Sequence, residues 1–167
     1  DLNSADDPYY RSDVFARNIE RSQTEVNATY LVSVNKDGTR GGTGYSGYPV
    51  ISADGNWVAF SSSAYDLVAN DGGSLDVFVR NMRLPQTAAN ATHLVSRNDA
   101  RSGSGNGDAR PYGLLISDGG SVIAYSSNAS DLTRNDLNET EDVFVAEFQR
   151  QLGSTIDFGN QLLLNAG

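Results

Sequence analysis

The hydrophobic positions of this chain fall in short runs, each closed by a cluster of Gly, Asp, Ser or Asn. No run keeps a helical spacing, and Ala, Leu, Lys and Glu are too sparse and unpatterned for long helices. The pattern therefore predicts strands and tight turns. Two runs, YPVIS at 48–52 and YGLLIS ending at Ser117, are almost continuously apolar, as in a strand covered on both faces. The turns ADGN and DGGS follow them, and Asp-Gly and Gly-Gly supply the positive φ that tight hairpins need. The runs at 57–63 and 121–128 then return antiparallel. Third strands are expected at 76–82 and 142–148, and fourth strands at 91–97 and 160–166. Along 57–63, alternation sends Trp57 and Ala59 to one face and Val58 and Phe60 to the other.

These elements recur. The dipeptide Asp-Leu stands at Asp1, Asp66 and Asp131, separated by 65 residues each time. A polar loop and the tripeptide Asp-Val-Phe follow in each copy, beginning at Asp13, Asp76 and Asp142. NATYLVS starts at Asn27 and NATHLVS at Asn90. A Gly-rich loop and then Pro49 or Pro111 come next. ISADGNWVAFSSSAYDL, from Ile51, matches ISDGGSVIAYSSNASDL, from Ile116. The chain is thus about two and a half repeats of a four-stranded antiparallel meander. Its units are 1–47 (the outer two strands and a crossing loop), 48–110, and 111–167. One such meander buries little core by itself, and repetition covers each sheet with its neighbour.

The residues Pro49, Ser52, Asp54, Gly55, Val58, Ala59, Phe60 and Ser62 resemble the strand-turn-strand core of the TolB-type β-propeller repeat of exported bacterial proteins. The second copy departs from it: Gly119 stands in the place of Asp54, and Gly113 intervenes after Pro111. The resemblance spans nearly all of 1–150 and implies an all-β fold of propeller blades. It is nearly silent on function, because such propellers serve as docking platforms, gates and surface proteins alike.

Composition narrows the partners. Lys and Arg number 12 against 21 Asp and Glu, a net charge of -9, which argues against nucleic acid and anionic membranes. There is no cysteine, which excludes thiol catalysis, Cys-ligated zinc and disulfides. No apolar run is long enough for a membrane-spanning helix. The start at Asp1, without Met, suggests a processed or excised segment.

The candidate chemistry lies in the loop before each Asp-Val-Phe. Asp136, Asn138 and Asp142 stand at relative positions one, three and seven, where a short loop can wrap calcium in hard oxygens. The preceding copy keeps Asp71 and Asp76 in a shorter loop, and the first has Asp6, Asp7 and Asp13 around Pro8. The resemblance adds that related repeats often read D-x-N-G-x-x-D here. The alternative is that these residues only form turns and cap the strand entry. The sequence GTGYSG from Gly42 fits a dinucleotide-binding spacing, but a strand follows it where a helix is needed, so a chain crossing is expected instead. His93, the single histidine, is matched by Tyr30 and reads as a packing or rim position. Asn27, Asn90, Asn128 and Asn138 head sequons for glycosylation. The recurrent aromatics, Tyr45, Tyr48 and Tyr112 included, read as core between sheets. A carbohydrate platform is the alternative for Tyr45 and Tyr48.

The function expected is non-enzymatic: a secreted or cell-surface module, or a periplasmic one, whose open ends associate head to tail into a ring or filament. A fragment of a larger closed propeller that docks a protein partner or gates an enzyme domain is the second expectation. A calcium-dependent adhesin or glycan binder is the third.

Overall fold

The computed structural model describes residues 11–22, 28–88, 90–138, 140–149 and 157–164. All its regular elements are strands: β1 (Phe15–Arg17), β2 (Thr29–Leu31), β3 (Ser46–Ile51), β4 (Trp57–Ser62), β5 (Asp76–Asn81), β6 (Thr92–Leu94), β7 (Ala109–Ile116), β8 (Val122–Ser127), β9 (Asp142–Gln149) and β10 (Asp157–Leu164). They form three antiparallel sheets. The first pairs β1 with β2, the second runs β3-β4-β5-β6, and the third runs β7-β8-β9-β10. Each full sheet is a meander in chain order, as the turn chemistry predicts. The last strand pairs with β9 from Asp157 rather than from 160, with a bulge between Gly159 and Leu162, and the expected positions 165–166 lie outside the described residues. The fourth strand of the middle sheet is only Thr92–Leu94, shorter than the run 91–97.

The middle sheet is packed on both faces. Val58, Phe60, Phe78 and Leu94 join Val14 and Val32 of the first sheet in one cluster. Ala59, Val77, Val79 and Val95 join Ile123, Tyr125, Phe144, Ala146 and Phe148 of the third sheet in another. The expected alternation along β4 therefore holds, with Trp57 on the Ala59 side and stacked on Phe148. The aromatic pair repeats: Phe60 lies 5.8 Å from Phe78, and Tyr125 lies 5.8 Å from Phe144. The two hairpin turns also meet, with Asp54 N donating to Asp118 O and Gly120 seated under the Trp57 ring.

One expectation fails. The run 48–52 is not covered on both faces, because β3 is the edge strand of its sheet and is bulged between Gly47 and Val50. Only Val50 of its outer half turns into the core, while Tyr48, Pro49 and Ile51 are exposed. β7 is the matching edge, with Tyr112 and Leu115 exposed.

Candidate functional site

The repeated aspartates divide into two sets with different surroundings. Asp66 and Asp131, the Asp of each Asp-Leu, hold the crossing loop that leads into the next sheet. Thr43 N donates to Asp66 Oδ1 and Asn106 N to Asp131 Oδ1, both at 2.8 Å. Arg40 adds an ion pair to Asp66 at 3.0 Å. The leucines beside them, Leu67 and Leu132, pack under Gly42 and Gly105. Each of these carboxylates fastens a crossing loop through Oδ1.

The aspartates at the strand entries are different. Ser96 Oγ donates to Asp76 Oδ1 at 2.6 Å and accepts from Val77 N at 3.0 Å. The clamp recurs as Ser33 with Asp13 and Val14. It fastens the start of the third strand to the end of the fourth. This ties one oxygen of Asp76 at the strand entry and leaves the other over. Asp76 is fully buried, and its Oδ2 has no hydrogen-bond partner. Asp71 faces it within hydrogen-bonding reach, and Asp71 Oδ2 is likewise unpartnered. In the next repeat, Asp136 and Asp142 hold the same two positions, each 8% exposed. Both oxygens of Asp136 and Oδ2 of Asp142 lack partners. Asn138 stands exposed between them, its Oδ1 accepting from Thr140 N. Asp6 and Asp7 lie outside the described residues. Among the described residues, no three carboxylate or imidazole groups converge. A cation here would rest on two carboxylates and neutral oxygens.

Burial pushes the Asp76 carboxyl up to about 8, opposed by the Ser96 hydroxyl and reinforced by the charge of Asp71, by a hydrogen bond that a proton on Asp76 makes to Asp71, and by the charge of Asp108. Burial also raises Asp71, against the Gly73 amide. The unfolded Asp76 loses its proton near 3.8 and the folded one near 8. Between these values the folded chain binds the extra proton, so stability falls as pH rises through that window. In chelator, urea unfolding should therefore give a smaller free energy at about pH 8 than at about pH 5, and Asp76→Asn should flatten the difference. Identical pH profiles for the two proteins would show that Asp76 ionises normally.

The tyrosines form a separate surface. Tyr48 and Tyr112 meet edge to face at 5.6 Å, exposed at the rims of β3 and β7, with exposed Tyr45 alongside. A hydrogen bond to Tyr112, then the Tyr112 and Tyr45 charges, hold the Tyr48 phenol above its ordinary value. Tyr48 has φ +53°, a costly conformation for a bulky residue. These three rings are therefore rim residues and not core, which corrects the expectation from their recurrence. Trp57, Phe60, Phe78, Tyr125 and Phe144 do lie in the core clusters or against them.

The remaining candidates separate. Gly42 and Gly44 lie in the crossing loop and strand β3 follows, as expected. His93 is half-buried on β6 beside a pocket of about 200 Å³ that Asn70, Arg97 and Ser102 also line. Burial lowers its pKa. Asn90, Asn128 and Asn138 are exposed, and Asn27 falls outside the described residues. Among the described residues no helix is long and apolar enough to cross a membrane. Ser33 and Ser96 were not singled out from the sequence, although the repeated Leu-Val-Ser at matching distance from the first two Asp-Val-Phe carried the signal. Comparisons with protein-family models, curated proteins and solved structures find no match to this chain.

Proposed function

We propose that this chain is a non-enzymatic stacking module, built of TolB-type propeller blades, that associates head to tail with further copies of itself. The far face of the third sheet carries the reading. In the middle sheet, Val50, Ala59 and Val79 stand side by side across three strands, and the third sheet covers them. The same cross-strand row in the third sheet is Leu115, Ala124 and Val145. There Leu115 is 64% exposed, and Ala124 and Val145 are half-buried. Val143 is 42% exposed where its counterpart Val77 is fully buried. An apolar row of this kind, rimmed by polar residues, marks an interaction surface.

The fold itself supplies the pattern for the occupant. What covers the Val77–Val79 face is a sheet face bearing Ile123, Tyr125 and Phe144. At the other end of the chain, Phe15 occupies the position of Phe78 and Phe144 but is only half-buried. A tail of valines and a head bearing phenylalanine are complementary, and such a contact between copies is heterologous: it closes a ring or extends a filament. The module would act outside the cytoplasm, where exported repeats of this type are found.

Light scattering at micromolar concentration tests the reading. The wild-type chain should show a mass above 17.8 kDa. Leu115→Glu with Val143→Glu should reduce it to the monomer with unchanged circular dichroism. A wild-type chain that is a monodisperse monomer would overturn it.

A further inference from the structure

We infer that the loops before β5 and β9 are divalent-cation sites of calcium type, one built on Asp71 and Asp76 and one on Asp136 and Asp142. Three observations converge on it. The first is orphaned oxygen. Asp76, Asp136 and Asp142 are each more than nine-tenths buried, yet each keeps at least one carboxylate oxygen without a hydrogen-bond donor. The ionised form of a carboxyl buried in this way is costly unless a counter-charge meets it.

The second is selectivity. The ion pairs Lys36–Asp37, Arg40–Asp66, Arg110–Glu141 and Arg134–Asp99 leave these four aspartates out, although three of the pairs draw a residue from the two loops. Asp66 and Asp131, in the same two loops, each find a loop amide for Oδ1, and Arg40 meets Asp66 Oδ2. The fold thus satisfies the aspartates that fasten loops and leaves bare the ones that face inward. The third is recurrence. The deficit appears at the same two repeat positions in both full sheets, although the spacing is five residues in one loop and six in the other. Turn formation alone would follow the spacing.

The donor chemistry selects the ion. The chain has no cysteine, and its one histidine, His93, lines a different pocket, so the soft and nitrogen ligands of zinc are missing. Oxygen donors are at hand. Ser104 Oγ accepts from Gly72 N at 3.0 Å, and Asn138 Oδ1 lies within the other loop. Calcium takes six to eight such oxygens in flexible geometry, with water completing the shell. Two carboxylates and neutral oxygens put the affinity at about 10⁻⁴–10⁻³ M, the range of extracellular modules. Ser104 and Asp108 belong to the crossing loop into the third sheet, and Ala109 N donates to Leu75 O at 2.6 Å. A cation at Asp71 and Asp76 therefore sits where the middle and third sheets are joined. The inference does not depend on association between copies.

The test uses the full chain, stripped with EDTA and dialysed at constant ionic strength. Titration calorimetry with calcium chloride should show two sites, and millimolar calcium should raise Tm by several degrees. Asp136→Asn with Asp142→Asn should leave one site, and Asp71→Asn with Asp76→Asn the other. In EDTA each double variant should be at least as stable as wild type, because an amide of the same shape cannot ionise and is cheaper to bury than these carboxyls. That gain, with loss of the calcium response, is what a purely structural role for these residues would not produce. Absence of heat and of any Tm shift at millimolar calcium would overturn the inference. So would calcium binding that survives in both double variants, or an equal Tm rise with magnesium, which would reduce the effect to screening of the net negative charge.

Discussion

Phe60→Ala should lower the unfolding free energy by about 3–5 kcal/mol. Phe60 is fully buried on β4, stacked against Phe78 on the adjacent strand, in the cluster that joins the middle sheet to Val14 and Val32. The loss has two parts. Removing the ring forfeits its transfer from water, and the surrounding sheets close the void only partly. Collapse is limited here because Phe60 and Phe78 are cross-strand partners in the unbroken β4–β5 ladder, which β6 extends beyond Phe78. A domain of this size has about 5–15 kcal/mol of total stability, so the variant sits near the threshold of folding. Urea unfolding followed by tryptophan fluorescence measures it, since Trp57 lies on the same strand. A loss below about 1 kcal/mol would place Phe60 outside a packed core.

The strands were legible because two signals agreed. The alternation through Trp57–Phe60 and the Asp-Gly turn at Asp54 independently specify the β3–β4 hairpin, and the repeat then locates β7–β8. Burial of the edge strands was not legible. Tyr48, Ile51, Tyr112 and Leu115 read as core from hydrophobicity alone, but Tyr48 and Tyr112 fall within the bulges of β3 and β7, which nothing in YPVIS specifies, while Ile51 and Leu115 pair in register and are exposed because their sheet face is not covered there. β10 slipped by a few residues for a related reason: NQLLLNA looks like the strand, while its pairing with β9 begins at Asp157. For the candidate site, the sequence located Asp71, Asp76, Asp136 and Asp142 but not their division of labour from Asp66 and Asp131. That division depends on which loop amides arrive beside each carboxylate, a long-range property of the crossing loops.

Those crossing loops account for the second large effect. Gly44→Ala should cost about 2–3 kcal/mol. Its φ is not positive, so backbone conformation gives no reason for glycine there. On that ground alone alanine would stabilise slightly, by about 0.4–1 kcal/mol, through the unfolded chain. The close approach reverses the sign. A Cβ on Gly44 would run into the backbone of Ser63 and Ala64, where no flexible side chain can give way. The backbone cannot retreat easily either. Ser63 N donates to Tyr45 O at 2.9 Å, Ser62 Oγ donates to the same carbonyl at 3.0 Å, and Ala64 N donates to Ser62 Oγ at 3.0 Å. Gly107→Ala, the repeat counterpart, should cost less, because part of its contact is the movable Asn128 side chain. Gly55→Ala is the control for backbone strain without contact: φ is +69° and nothing lies within 4 Å of the added carbon. Its cost should be about 1 kcal/mol. Urea unfolding of the three variants should rank them Gly44, Gly107, Gly55 in decreasing loss. If Gly44→Ala proves as mild as Gly55→Ala, the loop does not press against the end of β4, and the spacing of Gly42 and Gly44 needs another cause.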